Sequence, residues 1–127
     1  MYKKFLTYGS RKANRTLPPG WLSVGPQDNY VRMNREIPFG NSNIDVKDFN
    51  YVSIYTNEEN LKVGLKFHKE YEPGARLITK GMSSRSVQFT IRAVMTYLNI
   101  KVPKIKKELK LTYDKKRKMF TFNLMEL

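Results

Sequence analysis

One histidine, His68, and the absence of cysteine limit the chemistry open to this chain of 127 residues. Without thiols there are no disulfides, no cysteine-ligated zinc, no iron–sulfur cluster and no thiol nucleophile, and a single imidazole excludes a histidine pair working as acid and base. Lys66 lies at i−2 from His68, on the same face of an alternating strand, and is the partner a histidine-assisted nuclease would use. The plainer reading makes His68 an exposed strand residue or a phosphate contact. Two acidic pairs, Asp45 with Asp48 and Glu58 with Glu59, could hold a divalent ion for phosphodiester cleavage. Both pairs sit in polar, turn-like stretches, and no third acid stands at a spacing that completes a site. The expectation is a protein that is not an enzyme, with no catalytic residue, cofactor or metal; a metal-dependent nuclease is the third-ranked alternative.

Cations dominate instead. Lys and Arg number 24 against 11 Asp and Glu, a formal charge of +13. Eighteen of them fall in three groups: Lys3, Lys4, Arg11, Lys12 and Arg15, with no acid among them; Arg76, Lys80, Arg85 and Arg92; and Lys101–Lys118, which holds nine cations and two acids and ends in Lys115, Lys116, Arg117 and Lys118. A charge run usually marks a solvated face, but an excess spread over the whole chain attracts polyanions and releases their counterions on contact. A membrane surface would call for a basic amphipathic helix with bulky apolar residues. The one helix candidate has Arg92 as its only cation, so nucleic acid is the better partner and no membrane is expected. Aromatic residues alternate with the basic ones at Tyr2, Phe5 and Tyr8 and at Tyr30 beside Arg32. Tyr2 and Tyr8 are the candidates for stacking on unpaired bases. The other aromatics, Trp21 among them, are expected in the core.

The elements that position these residues follow from the apolar pattern. Residues 1–16 form a basic arm closed by Leu17-Pro18-Pro19-Gly20. Residues 17–50 alternate short strand-like pieces with turn-formers. Tyr51–Tyr55 and the alternating Leu61, Val63, Leu65 and Phe67, separated by Asn57-Glu58-Glu59-Asn60, predict a β-hairpin with one buried face. Ile91, Val94, Met95 and Leu98 stand at i, i+3, i+4 and i+7, with Thr90 or Ser86 to cap the start and Asn99 where a left-handed residue ends a helix. Leu109, Leu111 and Tyr113 alternate before the basic run, and Phe120, Phe122 and Leu124 after it, predicting a second hairpin with a basic tip.

Along residues 77–124 these pieces come in the order Leu77-Ile78-Thr79-Lys80-Gly81, a strand at Val87-Gln88-Phe89, a helix ending Tyr97-Leu98-Asn99-Ile100, a Val102-Pro103 turn and a closing hairpin. This order resembles the AbrB-like swapped-hairpin transcription regulators, with Lys80-Gly81 and Leu98-Asn99-Ile100 standing where that family has Lys-Gly and Leu-Gly-Ile. Met82–Ser86 is additional, the proline that opens the family helix is absent, and the helix register differs by about one residue. The resemblance implies an intertwined homodimer on DNA and favours DNA over RNA.

The expected fold is a single α+β domain over 1–127: a mostly antiparallel β-sheet with one amphipathic helix at about 87–100, comprising a basic arm at 1–16 and a body at 17–127. The expected function is non-catalytic nucleic-acid binding by a small cytoplasmic regulatory or replication-accessory factor of a phage or mobile element. Phosphate contacts are assigned to Lys3, Lys4, Arg11, Lys12, Arg15, Arg76, Lys80, Arg85, Arg92, Lys115, Lys116, Arg117 and Lys118. The runner-up is an anti-defence inhibitor of host machinery that docks on an acidic protein or a ribonucleoprotein.

Overall fold

The computed structural model describes residues 17–25, 30–80 and 85–126. The basic arm, with Lys3, Lys4, Arg11, Lys12, Arg15, Tyr2 and Tyr8, lies outside them.

Over the described residues the protein is a β structure, with 50% of them in strand, 11% helical and no helix of seven residues or more. This corrects the expectation of an α+β fold with an amphipathic helix over 87–100. That stretch divides into a strand, Ser86–Thr90, and a helix, Arg92–Tyr97 (α1). Ser-Val-Gln-Phe-Thr alternates with period two, burying Val87 and Phe89 between half-buried polar residues. Pairing with a neighbouring strand along Tyr30↔Thr90 to Asn34↔Ser86 satisfies its backbone and keeps it extended. The helical spacing begins only at Ile91, where one short helix sinks Ile91 and Met95 into the core. Asn99, at φ 56°, ends it in the left-handed conformation, with Ile100 N–H reaching Met95 O at 2.9 Å.

Two antiparallel sheets make up the body. The first has the order β8-β2-β1-β9, where β1 is Trp21–Val24, β2 Tyr30–Asn34, β8 Ser86–Thr90 and β9 Lys107–Lys110. The second has the order β10-β11-β6-β5-β7, with β5 Tyr51–Asn57, β6 Lys62–His68, β7 Arg76–Leu77, β10 Thr112–Asp114 and β11 Met119–Asn123. The sheets join at both margins. At one, β9 runs through Leu111 into β10, with Leu111 N–H donating to Gly20 O at 2.8 Å. At the other, β7 pairs with β5 through Tyr51↔Leu77, and two residues on, Thr79 bridges to Gln88 of β8 with reciprocal bonds of 2.7 and 2.9 Å. The hydrogen-bond ladder therefore runs in a ring. Taking β9 and β10 as one bent strand, the ring has eight positions, a size whose interior side chains just fill. Leu22, Val31, Val52, Val63, Leu65, Val87, Phe89 and Phe122 point inward and are buried.

A separate hairpin, β3 (Glu36–Phe39) with β4 (Ser42–Asp45), folds against the ring. Ile37 is buried there, and Phe39 stands edge-on to Tyr113 with ring centroids 4.8 Å apart. The β5–β6 hairpin matches the alternation read from the sequence, pairing Tyr51↔His68 through Asn57↔Lys62. Leu61 belongs to its turn, at φ 54°.

Candidate nucleic-acid interface

The run Lys115–Lys118 occupies the turn between β10 and β11, and all four side chains are exposed. Asp114 organises it. One carboxylate oxygen accepts the N–H groups of Lys116 at 3.0 Å and Arg117 at 3.1 Å, and the other meets the Arg117 guanidinium at 3.1 Å. The Arg117 backbone bond, then its side-chain bond, holds the Asp114 carboxyl below its ordinary range. Lys118 closes the turn at φ 56°. Lys115, Lys116 and Lys118 have no acidic partner among the described residues. The turn is thus a hydrogen-bonded loop whose three ammonium groups, exposed and without an acidic partner among the described residues, are open to phosphates.

The sequence group Arg76, Lys80, Arg85 and Arg92 separates in space. Arg76, entering β7, and Arg92, opening α1, line one open hollow of about 650 Å³ with Tyr30, Thr90 and Ala93. No carboxylate of the described residues lines it, and Tyr30 is 40% exposed, so the hollow offers two guanidinium groups and one ring. Lys80 is tied back, its ammonium 2.9 Å from the Asn50 side-chain oxygen. Arg85 lies at another hollow with Leu17, Pro18, Asn34, Arg35 and Glu36. Arg32 projects from the outer face of β2 and donates to the Ser86 hydroxyl at 3.3 Å. Sequence reasoning did not select Arg32 as a contact. The signal was present in the strand alternation, which puts Val31 and Met33 inside and Arg32 outside.

The groups considered for catalysis are engaged differently. His68 Nε2 lies 2.9 Å from the Ser53 hydroxyl and 3.4 Å from a Glu72 carboxylate oxygen. Serine, histidine and acid thus meet, but both partners contact the same ring nitrogen. In a nucleophilic triad the acid holds Nδ1–H while Nε2 takes the serine proton, and this arrangement lacks that geometry. Asp45 caps the short 3₁₀ turn Val46–Asp48 by accepting Lys47 N–H at 3.0 Å, and it forms a forked ion pair with Arg35, whose Nε is 3.0 and 3.1 Å from its two oxygens. The Arg35 hydrogen bonds, the largest influence, lower the Asp45 carboxyl. Glu58 accepts the Tyr97 hydroxyl. Among the described residues no three His, Asp or Glu side chains gather as a metal site would require, and no helix is long and apolar enough to cross a membrane.

Comparison with protein-family models, with curated proteins and with solved structures gives no match for this chain.

Proposed function

We propose that the protein binds nucleic acid without catalysing a reaction, as a regulatory or accessory factor of a cytoplasm, by neutralising backbone phosphates from its basic turn. The observation that carries this reading is the Lys115–Lys118 turn, where one aspartate fixes the backbone and three ammonium groups stay exposed without an acidic partner among the described residues. The open hollow of Arg76 and Arg92 supplies two further guanidinium groups for phosphates, and the overall charge of +13 supplies long-range attraction.

Titration of labelled single- and double-stranded DNA and RNA over a salt series tests it. Log K is expected to fall linearly with log salt, by roughly 0.7 per neutralised phosphate on single strands and 0.9 on duplex. The triple variant Lys115→Ser, Lys116→Ser, Lys118→Gly keeps Arg117 and the Asp114 bonds, and glycine suits the left-handed φ at 118. Its slope should drop by up to about 2 to 3 while its melting temperature holds. An unchanged affinity and slope would remove the turn from the interface. If the unaltered protein shows no salt-dependent binding to any nucleic acid, the proposal fails.

A protein partner is the second reading. Tyr71 and Leu77, both 63% exposed, flank Tyr51, which stands edge-on to Tyr71 and opposite Leu77, next to Arg76. An apolar patch edged by a cation suits an acidic protein surface. Capture of a protein from nuclease-treated lysate, lost on Leu77→Asp, would favour this reading.

A further inference from the structure

At the foot of the basic turn, the β3–β4 hairpin and the second sheet enclose a small apolar hollow of about 250 Å³. Phe39 and Tyr113, their rings 4.8 Å apart and edge-on, line it together with Phe67 and Phe120. Lys66, His68 and Lys118 also line it, and no carboxylate of the described residues does. Phe39 is 39% and Tyr113 36% exposed, so each keeps ring surface open to solvent while its other side packs on Phe120, at centroid distances of 6.0 and 5.0 Å. The volume falls just below that of pockets that hold drug-sized ligands, leaving room for a single planar ring system.

Resting on the nucleic-acid reading above, we infer that this hollow takes one unpaired base of a single-stranded nucleic acid, stacked on the ring of Tyr113 with its edge toward Phe39, with its phosphates on the Lys115–Lys118 turn. Charge complementarity selects the occupant. An apolar, aromatic-walled hollow bordered by two lysines, with no carboxylate among the described residues that line it, calls for a flat apolar group carried on an anionic chain, which describes an unpaired nucleotide. A base stacked in a duplex does not present its face, so the hollow discriminates single strands from duplex. Lys118 serves both parts, as it belongs to the turn and lines the hollow. Stacking platforms set between phosphate-binding cations are how single-strand binders hold their ligands with little regard to sequence.

The test compares oligothymidylate with an abasic oligodeoxynucleotide of the same length, which has the same phosphates and no bases. The unaltered protein should bind oligothymidylate about tenfold more tightly, the free energy of stacking one base. Tyr113→Ala should erase that preference and leave binding of the abasic strand unchanged, and Tyr113→Phe, which keeps the ring, should retain it. A melting curve of each variant accompanies the titration. If Tyr113→Ala unfolds, Phe39→Ala, which removes the other exposed ring of the hollow, should weaken the preference in its place. A full preference kept by a folded Ala variant overturns the site. Equal affinity for the two strands overturns the stacking site while leaving phosphate binding in place. Failure of both strands to bind at low salt overturns the nucleic-acid reading and this inference with it.

Discussion

Three residues hold backbone conformations or charges that single substitutions expose. Lys118 sits at φ 56°, a region that costs a non-glycine residue roughly 1–2 kcal/mol. Replacement by glycine removes that strain but adds freedom to the unfolded chain, worth about 0.4–1 kcal/mol, so Lys118→Gly should leave the melting temperature level or slightly raised. Lys118→Val, with a branched Cβ, should lower it clearly. Equal melting of the two variants would show that the turn relaxes out of the left-handed region. The Arg35–Asp45 pair supplies a pH signature. The folded-state carboxyl is depressed by Arg35, so its contribution is present above the ordinary aspartate pKa of about 3.9 and is lost as pH falls through the lower folded value. Asp45→Asn should therefore melt below the unaltered protein at neutral pH, and the gap should close in acid. A gap that is constant with pH would assign the effect to the cap on Lys47 alone. At this scale the sequence exposed part of the candidate site. Four adjacent cations cannot all turn inward, so the exposure of Lys115–Lys118 follows from their order. Tyr113 and Phe39 were hidden, because the alternation of Leu109, Leu111 and Tyr113 reads as a buried face and nothing local says that Tyr113 lies where that face opens.

Among the elements, α1 and the Gly64 crossing offer the clearest tests. Met95 is fully buried and Leu98 only half-buried, so Met95→Ala should cost about 2–4 kcal/mol and Leu98→Ala clearly less. The reverse order in denaturant melts would mean that α1 packs through its C-terminal end. Gly64 lies between Tyr55 and Thr121 in the second sheet, and a Cβ there would collide with the Met119 sulfur. Gly64→Ala should lower stability, and Met119→Ala in the same chain should recover part of the loss, a coupling that a double-mutant cycle reads directly. Simple additivity would show that Met119 swings away at no cost. The elements were unevenly legible. The β5–β6 hairpin could be read because Val63, Leu65 and Phe67 alternate without interruption beside a polar turn. The helix was drawn too long because Val87 stands four residues before Ile91 and mimics another turn of the stripe, while the strand that holds 86–90 extended is β2, more than fifty residues earlier in the chain. The closure of the sheets through Thr79 and Leu111 left no local trace, since one backbone bridge and one bend carry it.

For the whole molecule, the charge of +13 acts on stability and binding with opposite salt dependence. Self-repulsion burdens the compact state and is screened as the Debye length shrinks from about 30 Å at 0.01 M to about 8 Å at 0.15 M. The melting temperature should therefore rise over that salt range while affinity for a polyanion falls. A melting temperature that falls with salt would mean that ion pairs such as Arg35–Asp45 outweigh the repulsion.

The ring of strands also sets a timetable for folding. β1, at Trp21–Val24, finds one neighbour nearby in β2 but must wait for Lys107–Lys110 to acquire the other. During synthesis the β5–β6 hairpin can assemble as soon as it emerges, while β1 keeps an open flank until nearly the whole body has been made. Such distant pairing places the chain among slow folders, in the range of milliseconds to seconds. Until that pairing forms, the open flank of β1 is where a nascent chain could join another copy of itself, and once β9 is seated that flank is closed.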